Sequence, residues 1–570
     1  MKDATPTGFP SIDKPWLKFY SEKALNTPLA PVGMYDFMYE RNKDRLDGTA
    51  LNYFGKKTSY GEFFAAIDEA AKAYAACGVK PGDIVTLVTL TCVPSVVSLY
   101  ALNKIGGVPN YLNVLSTEAE LEHFFTEVKS DVVVTLDLFG KNVLEAASKA
   151  GVKKVIVYSL REGMPAVTSL GFAVKMRKFD SSFLDNNKLV LMWKDFLAMG
   201  KGQPEITYKK NGTELAYFGH TGGTTGIPKG VLLNDHSFNT VAHYYNLGMA
   251  HERGDVFLSV MIPYVVYSGI INIHMPLSLG FETVLVPKFE SDKWDEYIKK
   301  YRPQHCGIIP AYAQTFLTNE KLDKMDLSCL VTIGMGGEGL NIPLEESVNK
   351  FMAEHGSKAK LCKGYGMTEV CATAATEFAY ANKVGSVGIP LPENNFMIYD
   401  LDKGCECPYN KTGEICMQAS SRMIGYLDNE EEMNHLFRTH ADGSVWLHTG
   451  DLGYIDEEGF IFLEGRLKRM IMTVIDGKVY KIPPAKVESV LSELDDVKDV
   501  CVVGASDGND KVLRAFVIKN GDADEKALTE KMRAECAKQL PDNMRPYFYE
   551  FCAEFPRTPA GKIDYRALED

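Results

Sequence analysis

The loop from Thr221 to Gly230 reads TGGTTGIPKG and combines glycines and threonines with a single lysine. Glycines let backbone N–H groups approach an anion closely, the threonine hydroxyls add donors, and Lys229 adds a positive charge. Apolar runs at 214–218 and 231–233 flank the loop, which indicates an ordered element on each side. The pattern therefore predicts a phosphate-binding loop in preference to a flexible linker.

The residues around Lys229 separate this loop from the Walker-type NTPase motif. That motif requires Gly-Lys followed by Ser or Thr, whereas here Pro228 precedes Lys229 and Gly230 follows it. The sequence therefore indicates another class of phosphate chemistry.

A second candidate site lies at 364–369, which reads GYGMTE. Tyr365 stands between two glycines and can present the face of its ring to a purine. Thr368 can bond a phosphate or a substrate carboxylate, and Glu369 offers the hard oxygen ligands that Mg²⁺ prefers. Together with a phosphate loop, these residues predict a site for a purine nucleotide and its metal ion.

The segment at 334–339, GMGGEG, matches the G-x-G-x-x-G fingerprint and follows a predicted strand at 330–333. A strand before such a loop is typical of dinucleotide-binding domains. However, the next candidate strand, at 358–363, runs into GYGMTE and does not end in the acidic residue that this fingerprint requires. A nicotinamide-dependent oxidoreductase therefore stays an alternative, as does a catalytically silent nucleotide-binding protein.

Two further motifs carry charged residues that could contact a nucleotide. Asp451 follows a Thr-Gly pair in WLHTGDLGY, where a carboxylate can accept hydrogen bonds from both hydroxyls of a ribose or can cap a turn. Arg466 and Lys468 follow in EGRLKRMI.

In this order the motifs resemble those of the adenylate-forming superfamily, which includes acyl-CoA synthetases, adenylation domains of peptide synthetases and luciferases. The resemblance extends over about residues 50–570 and is densest from 213 onward. It implies an enzyme that uses ATP and Mg²⁺ to convert a carboxylic acid into an acyl-adenylate and then passes the acyl group to CoA. The residues that it implies for ATP or AMP binding are Thr221, Gly222, Gly223, Thr224, Thr225, Gly226, Lys229, Gly336, Gly337, Glu338, Tyr365, Asp451 and Arg466.

The resemblance also assigns the catalytic and hinge positions. Lys562, in PRTPAGKIDYR, stands where the family has its catalytic lysine, and it acts with Thr368 and with Glu369, the implied Mg²⁺ ligand. Lys468 stands at the hinge between two domains. The implied acid pocket comprises Tyr264, Val265, Val266 and Tyr267. Relatives commonly carry a histidine in this stretch, so the valines predict a more apolar wall and an apolar acid, either fatty or aryl.

The elements that must position these residues alternate between strands and helices. The stretch at 84–102 reads as a buried strand followed by a helix that starts near Pro94. Thr117 and Glu120 form a capping-box pattern before the next helix, and 131–135 reads as a buried strand. This alternation predicts an α/β domain.

By resemblance, the chain folds as a large N-terminal α/β domain with parallel-rich sheets, at 1–465, and a small mobile C-terminal α+β domain, at 466–570. The stretch at 477–488 departs from the family pattern because it is about two residues longer and contains a double proline. Since that stretch helps to form the thiol-acceptor face in relatives, transfer to a carrier-protein thiol stays open as an alternative to CoA.

Composition limits the partners and the compartment. A net charge of −13 without a basic stripe argues against a nucleic-acid partner. Twelve scattered cysteines, no CxxC motif and no secretory signal in MKDAT predict reduced thiols in the cytoplasm. Prolines interrupt the apolar stretches at 84–102 and 256–281, so no transmembrane span is expected, while peripheral contact with a membrane stays open. No oligomeric state is indicated.

Overall fold

The computed structural model describes residues 6–177, 179–221, 228–475, 478–508, 510–557 and 563–569. Within these ranges the strands form four sheets, of which two are large and mostly parallel. A third, antiparallel sheet completes the large N-terminal domain, and the fourth belongs to a smaller C-terminal domain. The predicted α/β class with parallel-rich sheets is therefore confirmed.

The first large sheet contains nine strands among the described residues and is parallel through its centre. From edge to edge, its strands are Ile389–Pro390, Ala375–Thr376, Leu361–Tyr365, Thr332–Met335, His305–Ile308, Val256–Ser259, Glu282–Leu285, Thr49–Tyr53 and Lys56–Ser59. The segments at 334–339 and 364–369 leave neighbouring parallel strands, so both lie at the carboxyl edge where ligands bind in such sheets.

The second large sheet contains eight strands in the described part of the chain. From edge to edge, they are Gly425–Tyr426, Gly230–Asn234, Leu215–His220, Val108–Leu112, Ile84–Val88, Val132–Leu136, Lys154–Tyr158 and Val190–Met192. The strands at 215–220 and 230–234 are antiparallel, with His220 opposite Gly230. The predicted phosphate loop therefore connects the two strands of a hairpin.

The two smaller sheets are largely antiparallel. The third contains Cys405–Glu406, Asn395–Asp400, Gly413–Gln418, Val445–Ile455, Phe437–Thr439 and Ile461–Arg466. The fourth contains Lys478–Ile482, Ile471–Ile475, Asp510–Lys519, Val497–Asp507 and Phe548–Phe551. A hydrophobic cluster that includes Ile482, Val487, Leu513 and Met532 draws its members only from this C-terminal part. Such a separate core is what an independent small domain requires.

Helices cover the faces of the sheets. The α-helices are Pro10–Asp13, Glu22–Asn26, Met34–Asn42, Tyr60–Ala76, Val93–Lys104, Glu118–Glu127, Gly140–Lys149, Ala166–Lys175, Trp193–Met199, Asp235–Gly248, Met275–Leu279, Trp294–Tyr301, Pro310–Thr318, Ile342–Glu354, Glu430–Leu436, Pro484–Ser492 and Glu525–Gln539. The 3₁₀ turns are Pro15–Phe19, Asp137–Phe139, Ser182–Leu184, Ser291–Lys293, Thr368–Val370, Leu467–Arg469, Asp542–Met544 and Tyr565–Leu568, and Ser268–His274 is a π-helix. The capping box that Thr117 and Glu120 predict is present at the start of its helix.

One predicted strand boundary is wrong. The strand predicted at 330–333 is observed at Thr332–Met335, so Gly334 lies inside it and pairs with a strand on each side. Asp451, which follows a Thr-Gly pair, lies within the strand Val445–Ile455. Gly450 adopts a φ of +71° and the register shifts between Leu452 and Gly453, so this irregularity is absorbed as a bulge.

Candidate functional site

Two hydrogen bonds close the base of the phosphate loop. The Thr221 amide donates to the carbonyl oxygen of Lys229 at 3.0 Å, and the Lys229 amide donates to Oγ1 of Thr221 at 3.0 Å. Of the predicted loop residues, Gly222, Gly223, Thr224, Thr225 and Gly226 lie outside the described residues. The two bonds therefore fix the position of Lys229 at the end of the loop, whereas the contacts predicted for the residues between remain predictions.

Gly219, two residues before the loop, brings three predicted groups together. A Cβ atom on Gly219 would lie 2.6 Å from Cγ2 of Val266 and 3.5 Å from Cγ2 of Thr368. The strand that leads into the phosphate loop therefore contacts both the predicted acid-pocket wall and the predicted catalytic threonine. Any side chain at this position would have to displace Val266.

Glu369 is buried in the middle of the short turn Thr368–Val370, where Tyr426 holds it. The Tyr426 hydroxyl donates to Oε1 of Glu369 at 2.6 Å. Burial raises the pKa of Glu369 above its ordinary value, while the bond from Tyr426 and the charge of Lys229 act in the opposite direction. A divalent cation would favour the ionised form, so this carboxylate fits the predicted Mg²⁺ ligand.

Lys229 also contacts Tyr426, the residue that holds Glu369. Its Nζ atom is 5.2 Å from the centre of the Tyr426 ring, and it forms an ion pair with Glu432. The hydrogen bond from Lys229 lowers the pKa of Glu432, and the charge of Lys468 acts in the same direction. The predicted phosphate lysine, metal carboxylate and hinge lysine therefore lie around one small cluster.

Asp451 is held by two partners, one on each carboxylate oxygen. Oδ2 accepts a hydrogen bond of 2.8 Å from the hydroxyl of Tyr365, and Oδ1 lies 3.1 Å from Nε of Arg466. Burial raises the pKa of Asp451, and the positive charge of Arg466 opposes that effect. Because each oxygen can accept two hydrogen bonds, one position on each remains for a ribose hydroxyl.

Glu414 positions the turn that presents Asp451. Its Oε1 accepts a hydrogen bond of 3.0 Å from the amide of Gly450, and its Oε2 lies 2.7 Å from Nδ1 of His448. Nε2 of His448 contacts Nε2 of His440 at 2.9 Å. The buried pair Glu414 and His448 therefore supports the left-handed backbone of Gly450 and with it the direction of Asp451.

The predicted acid-pocket residues and the glycine loop after the strand Thr332–Met335 contact one another. A Cβ atom on Gly336 would lie 3.2 Å from the ring of Tyr267. Gly337 adopts a φ of +90°, which glycine tolerates without strain, and Glu338 is exposed beside it. Val266 is buried, whereas Tyr264, Val265 and Tyr267 are partly exposed. The predicted acid-pocket segment at 264–267 therefore packs against the glycine loop at 336–337.

Two predicted residues belong to the C-terminal region. Lys468 is exposed in the 3₁₀ turn Leu467–Arg469, which directly follows the strand Ile461–Arg466. A short turn between an ordered strand of one domain and the first strand of the other is a suitable place for a hinge. Lys562 lies outside the described residues, so its predicted catalytic role remains a prediction.

Several polar residues at this site have no motif that could reveal them in the sequence. They are Tyr426 and Glu432, which hold Glu369 and Lys229, and Glu414, which supports the Asp451 turn. Each lies more than 30 residues from the group it contacts. Only the three-dimensional contacts reveal these partners.

The fold brings the predicted metal carboxylate Glu369 to Tyr426 and Lys229, and the predicted ribose carboxylate Asp451 to Tyr365 and Arg466. Models of known families show the class of enzyme. The model of the AMP-binding enzyme family matches residues 38–427, and that of the AMP-binding enzyme C-terminal domain matches 486–562. The chain belongs to the AMP-binding enzyme family.

Full-length relatives extend over nearly the whole chain. The chain is 29% identical over 567 residues to the long-chain-fatty-acid–CoA ligase of Bacillus subtilis (strain 168), covering 97% of each protein. It is 27% identical over 525 residues to the probable 4-coumarate–CoA ligase 1 of Dictyostelium discoideum, covering 90% of each. The predicted class, an AMP-forming acid–thiol ligase that uses ATP, Mg²⁺ and CoA, is confirmed, and the nicotinamide alternative is not supported.

Solved structures confirm the fold. ATP-bound MatB from Rhodopseudomonas palustris superposes with a TM-score of 0.78 at 22% identity, covering 94% of this chain and 98% of that one. A benzoate CoA ligase from Burkholderia xenovorans LB400 superposes with a TM-score of 0.76 at 21% identity, covering 94% of this chain and 100% of that one. Among the described residues, no helix is both long and apolar enough to span a membrane.

Proposed function

We propose that this enzyme condenses an apolar carboxylic acid, fatty or aryl, with ATP to form an acyl-adenylate and pyrophosphate, and then transfers the acyl group to CoA. The contact of Gly219 with both Val266 and Thr368 carries this proposal. This contact supports the proposal because it brings Val266, Thr368 and the strand that leads to the phosphate loop together. The substrate acids named for the two relatives, a long-chain fatty acid and 4-coumarate, support an acid of this kind.

The chemistry needs no general base from the protein. A carboxylic acid has a pKa of about 4 and is already an ionised nucleophile at neutral pH. The obstacle is its repulsion by the α-phosphate, which is about 4 kcal/mol per pair of unit charges at ~4 Å and an effective dielectric constant near 20. Positive charge placed at the reacting oxygens therefore supplies most of the catalysis.

The residues divide this task as follows. Lys562 neutralises charge between the carboxylate and the α-phosphate, Thr368 orients the carboxylate, and Lys229 with the loop from Thr221 to Gly226 holds the β- and γ-phosphates. Glu369 holds Mg²⁺, which neutralises phosphate charge when bound. For the nucleoside, Asp451 accepts the ribose hydroxyls, Arg466 holds Asp451, and the adenine packs on Tyr365 and on Gly336, Gly337 and Glu338.

The thiol step requires Lys562 to withdraw. We place the boundary between the domains at 465/466, within one residue of the end of the strand Ile461–Arg466, and the hinge at Lys468, which lies between this strand of the third sheet and the strand Ile471–Ile475 of the fourth. Rotation about this point would exchange the groups that face the adenylate. All twelve cysteines are free, which supports a reducing compartment, and we assign the enzyme to the cytoplasm.

A panel of carboxylic acids tests the proposal. Pyrophosphate release is measured with ATP and Mg²⁺ for each acid, first without a thiol and then with CoA or with a pantetheine-bearing carrier protein. The proposal requires acid-dependent pyrophosphate release and thioester formation with CoA. Thioester formation with the carrier alone would assign the enzyme to carrier loading, and the stretch at 477–488 would then be the part to examine. Release without any acid would contradict the proposal.

A further inference from the structure

The helix Ala166–Lys175 presents an apolar face to solvent. Val167, Leu170 and Val174 are 84%, 66% and 52% exposed. Because these positions are spaced i, i+3 and i+7, their side chains lie along one face of the helix. Gly171 lies on the same face, and a Cβ atom there would have no neighbour within 4 Å among the described residues. The outer face of this helix is therefore a continuous row of uncovered aliphatic side chains.

The opposite face of the same helix packs on the protein. Phe172 packs against a hydrophobic cluster of the N-terminal domain, and Oγ of Ser169 accepts a hydrogen bond of 3.0 Å from Nε of Arg161. Apolar residues therefore lie on both sides of the helix. A helix that is apolar all round is normally buried all round. Since the protein covers only the inner side, the outer face requires a cover from another molecule.

The chain around this helix is basic, although the protein has a net charge of −13. No acidic residue occurs at 163–179, whereas Lys175 and Arg177 are exposed at the carboxyl end of the helix. Glu290 lies close enough to Lys175 for the two charges to interact, but it already forms an ion pair of 2.6 Å with Lys293. Positive charge therefore borders the aliphatic row.

An anionic lipid surface matches this combination of groups. Acyl chains accept aliphatic side chains, and lipid phosphate groups attract lysine and arginine. A second copy of the chain matches poorly, because a symmetric contact through this face would bring Lys175 and Arg177 against the same two residues. The exposed row also contains no aromatic side chain, whereas protein interfaces concentrate such side chains at their centres.

We propose that the helix Ala166–Lys175 docks the enzyme on the surface of an anionic bilayer. Val167, Leu170 and Val174 enter the boundary between headgroups and acyl chains, and Lys175 and Arg177 contact lipid phosphates. The helix has 10 residues and is about 15 Å long, half the thickness of a bilayer core, so it lies in the interface and does not cross it. The docking is reversible, since one short apolar face and a few charges bind a membrane weakly. None of these residues belongs to the proposed active site, so the inference goes beyond the proposed function.

Sedimentation with lipid vesicles tests the proposal on the full-length enzyme. Binding is measured to vesicles of mixed phosphatidylglycerol and phosphatidylcholine and to vesicles of phosphatidylcholine alone, each at low and at high salt. We expect the enzyme to bind the anionic vesicles at low salt. Omission of the anionic lipid should weaken binding by about 10-fold or more, and so should high salt, because both remove the attraction of the basic residues.

Substitutions on the helix show whether this face makes the contact. Leu170→Gln should weaken binding to anionic vesicles by about 10-fold or more, because it removes a large aliphatic side chain from the lipid. Lys175→Gln combined with Arg177→Gln should weaken binding to the anionic vesicles alone. Ile12→Gln, at a position 62% exposed on the helix Pro10–Asp13, is the matched control and should bind as the wild-type enzyme does. Thermal unfolding checks that every variant is folded, as expected for exposed positions.

Three results would overturn this inference. The first is a wild-type enzyme that binds neither kind of vesicle. The second is a Leu170→Gln variant that binds as tightly as Ile12→Gln, because the contact would then lie elsewhere. The third is a wild-type dimer that Leu170→Gln dissociates in light-scattering measurements without lipid, because a second copy would then cover the face. Acid-dependent pyrophosphate release in solution reports on the proposed function separately and does not depend on any of these results.

Discussion

The hydroxyl of Tyr365 donates a hydrogen bond of 2.8 Å to Oδ2 of Asp451, which joins the GYGMTE segment to the strand Val445–Ile455. The bond connects the first large sheet to the third sheet and fixes the ring that we assign to adenine. The same carboxylate contacts Arg466, the last residue before the proposed hinge turn. The proposed nucleoside site is therefore assembled from three segments that are distant in the sequence.

Tyr365→Phe should weaken ATP binding. The variant keeps the ring but removes a hydrogen bond to a charged group, which contributes about 1.5–3 kcal/mol, or roughly 10- to 100-fold. We expect the KM for ATP to rise by that factor with a smaller change in kcat. The measurement is the ATP dependence of pyrophosphate release, with Tyr380→Phe, at an exposed tyrosine, as the control. An unchanged KM for ATP would show that the hydroxyl of Tyr365 does not contribute to binding of the nucleoside.

Tyr426→Phe should alter the use of Mg²⁺. Tyr426 holds Oε1 of Glu369 at 2.6 Å, and its removal leaves a buried carboxylate without that partner. We expect the Mg²⁺ concentration for half-maximal activity to change by about 10-fold, and we expect Glu369→Gln to abolish most of the activity at every Mg²⁺ concentration. Titration with Mg²⁺ at saturating ATP checks both variants. If Glu369→Gln showed the same Mg²⁺ dependence as the wild-type enzyme, Glu369 would not be a ligand of the metal.

Lys468→Pro should separate the two half-reactions. Proline fixes φ near about −65°, removes an N–H and restricts Leu467, so one of the two domain orientations becomes inaccessible. We expect pyrophosphate release to persist and most thioester formation to be lost. Both steps are measured on the folded variant, with Lys468→Ala as the control for loss of the side chain alone. If both steps survive, or both fall together in a folded protein, the hinge lies elsewhere.

His220 should make stability depend on pH. Burial lowers its pKa to about 4, and its Nδ1 is unpaired among the described residues. The unfolded chain, with a pKa near about 6.5, binds more protons between these values, so stability is lost as the pH falls from 6.5 towards 4. We expect His220 to lower the free energy of unfolding by about 2 kcal/mol when the pH falls from 7 to 5.

Urea unfolding of wild type and His220→Gln at pH 7 and pH 5 measures this contribution. The variant should lose less stability over that range, whereas His435→Gln, at an exposed position on a short helix, should behave as the wild-type protein does. The same pH dependence in wild type and His220→Gln would show that this histidine is not kept neutral by the fold.

The sequence predicts those parts of the site that depend on backbone chemistry or on compact motifs. The loop containing Lys229, the GYGMTE segment and Asp451 are recognisable because their residues are contiguous and glycine sets the local backbone. The alternation of strand and helix likewise predicts the class of the sheets. These features are local, so they need no knowledge of what packs against them.

The remaining parts depend on which strands become neighbours. Gly307 and Gly334 are neighbours because two strands pair in a particular register, and nothing in the sequence indicates that pairing. Tyr426 reaches Glu369 from an edge strand of the second sheet, 57 residues away in the chain. The predicted acid-pocket stretch is followed by the π-helix Ser268–His274, whose presence the sequence does not indicate.

Separate assays of the two half-reactions in the wild-type enzyme and in Lys562→Ala test the central claim most directly. The wild-type enzyme should release pyrophosphate only with an acid, retain acyl-AMP when no thiol is present, and convert that acyl-AMP to a thioester when CoA is added. Lys562→Ala should slow formation of acyl-AMP by on the order of 10²- to 10³-fold, the scale for one preorganised charged donor. It should have much less effect when synthetic acyl-AMP and CoA are supplied together. Absence of any trapped acyl-AMP in the wild-type enzyme, or equal loss of both steps in Lys562→Ala, would contradict this account.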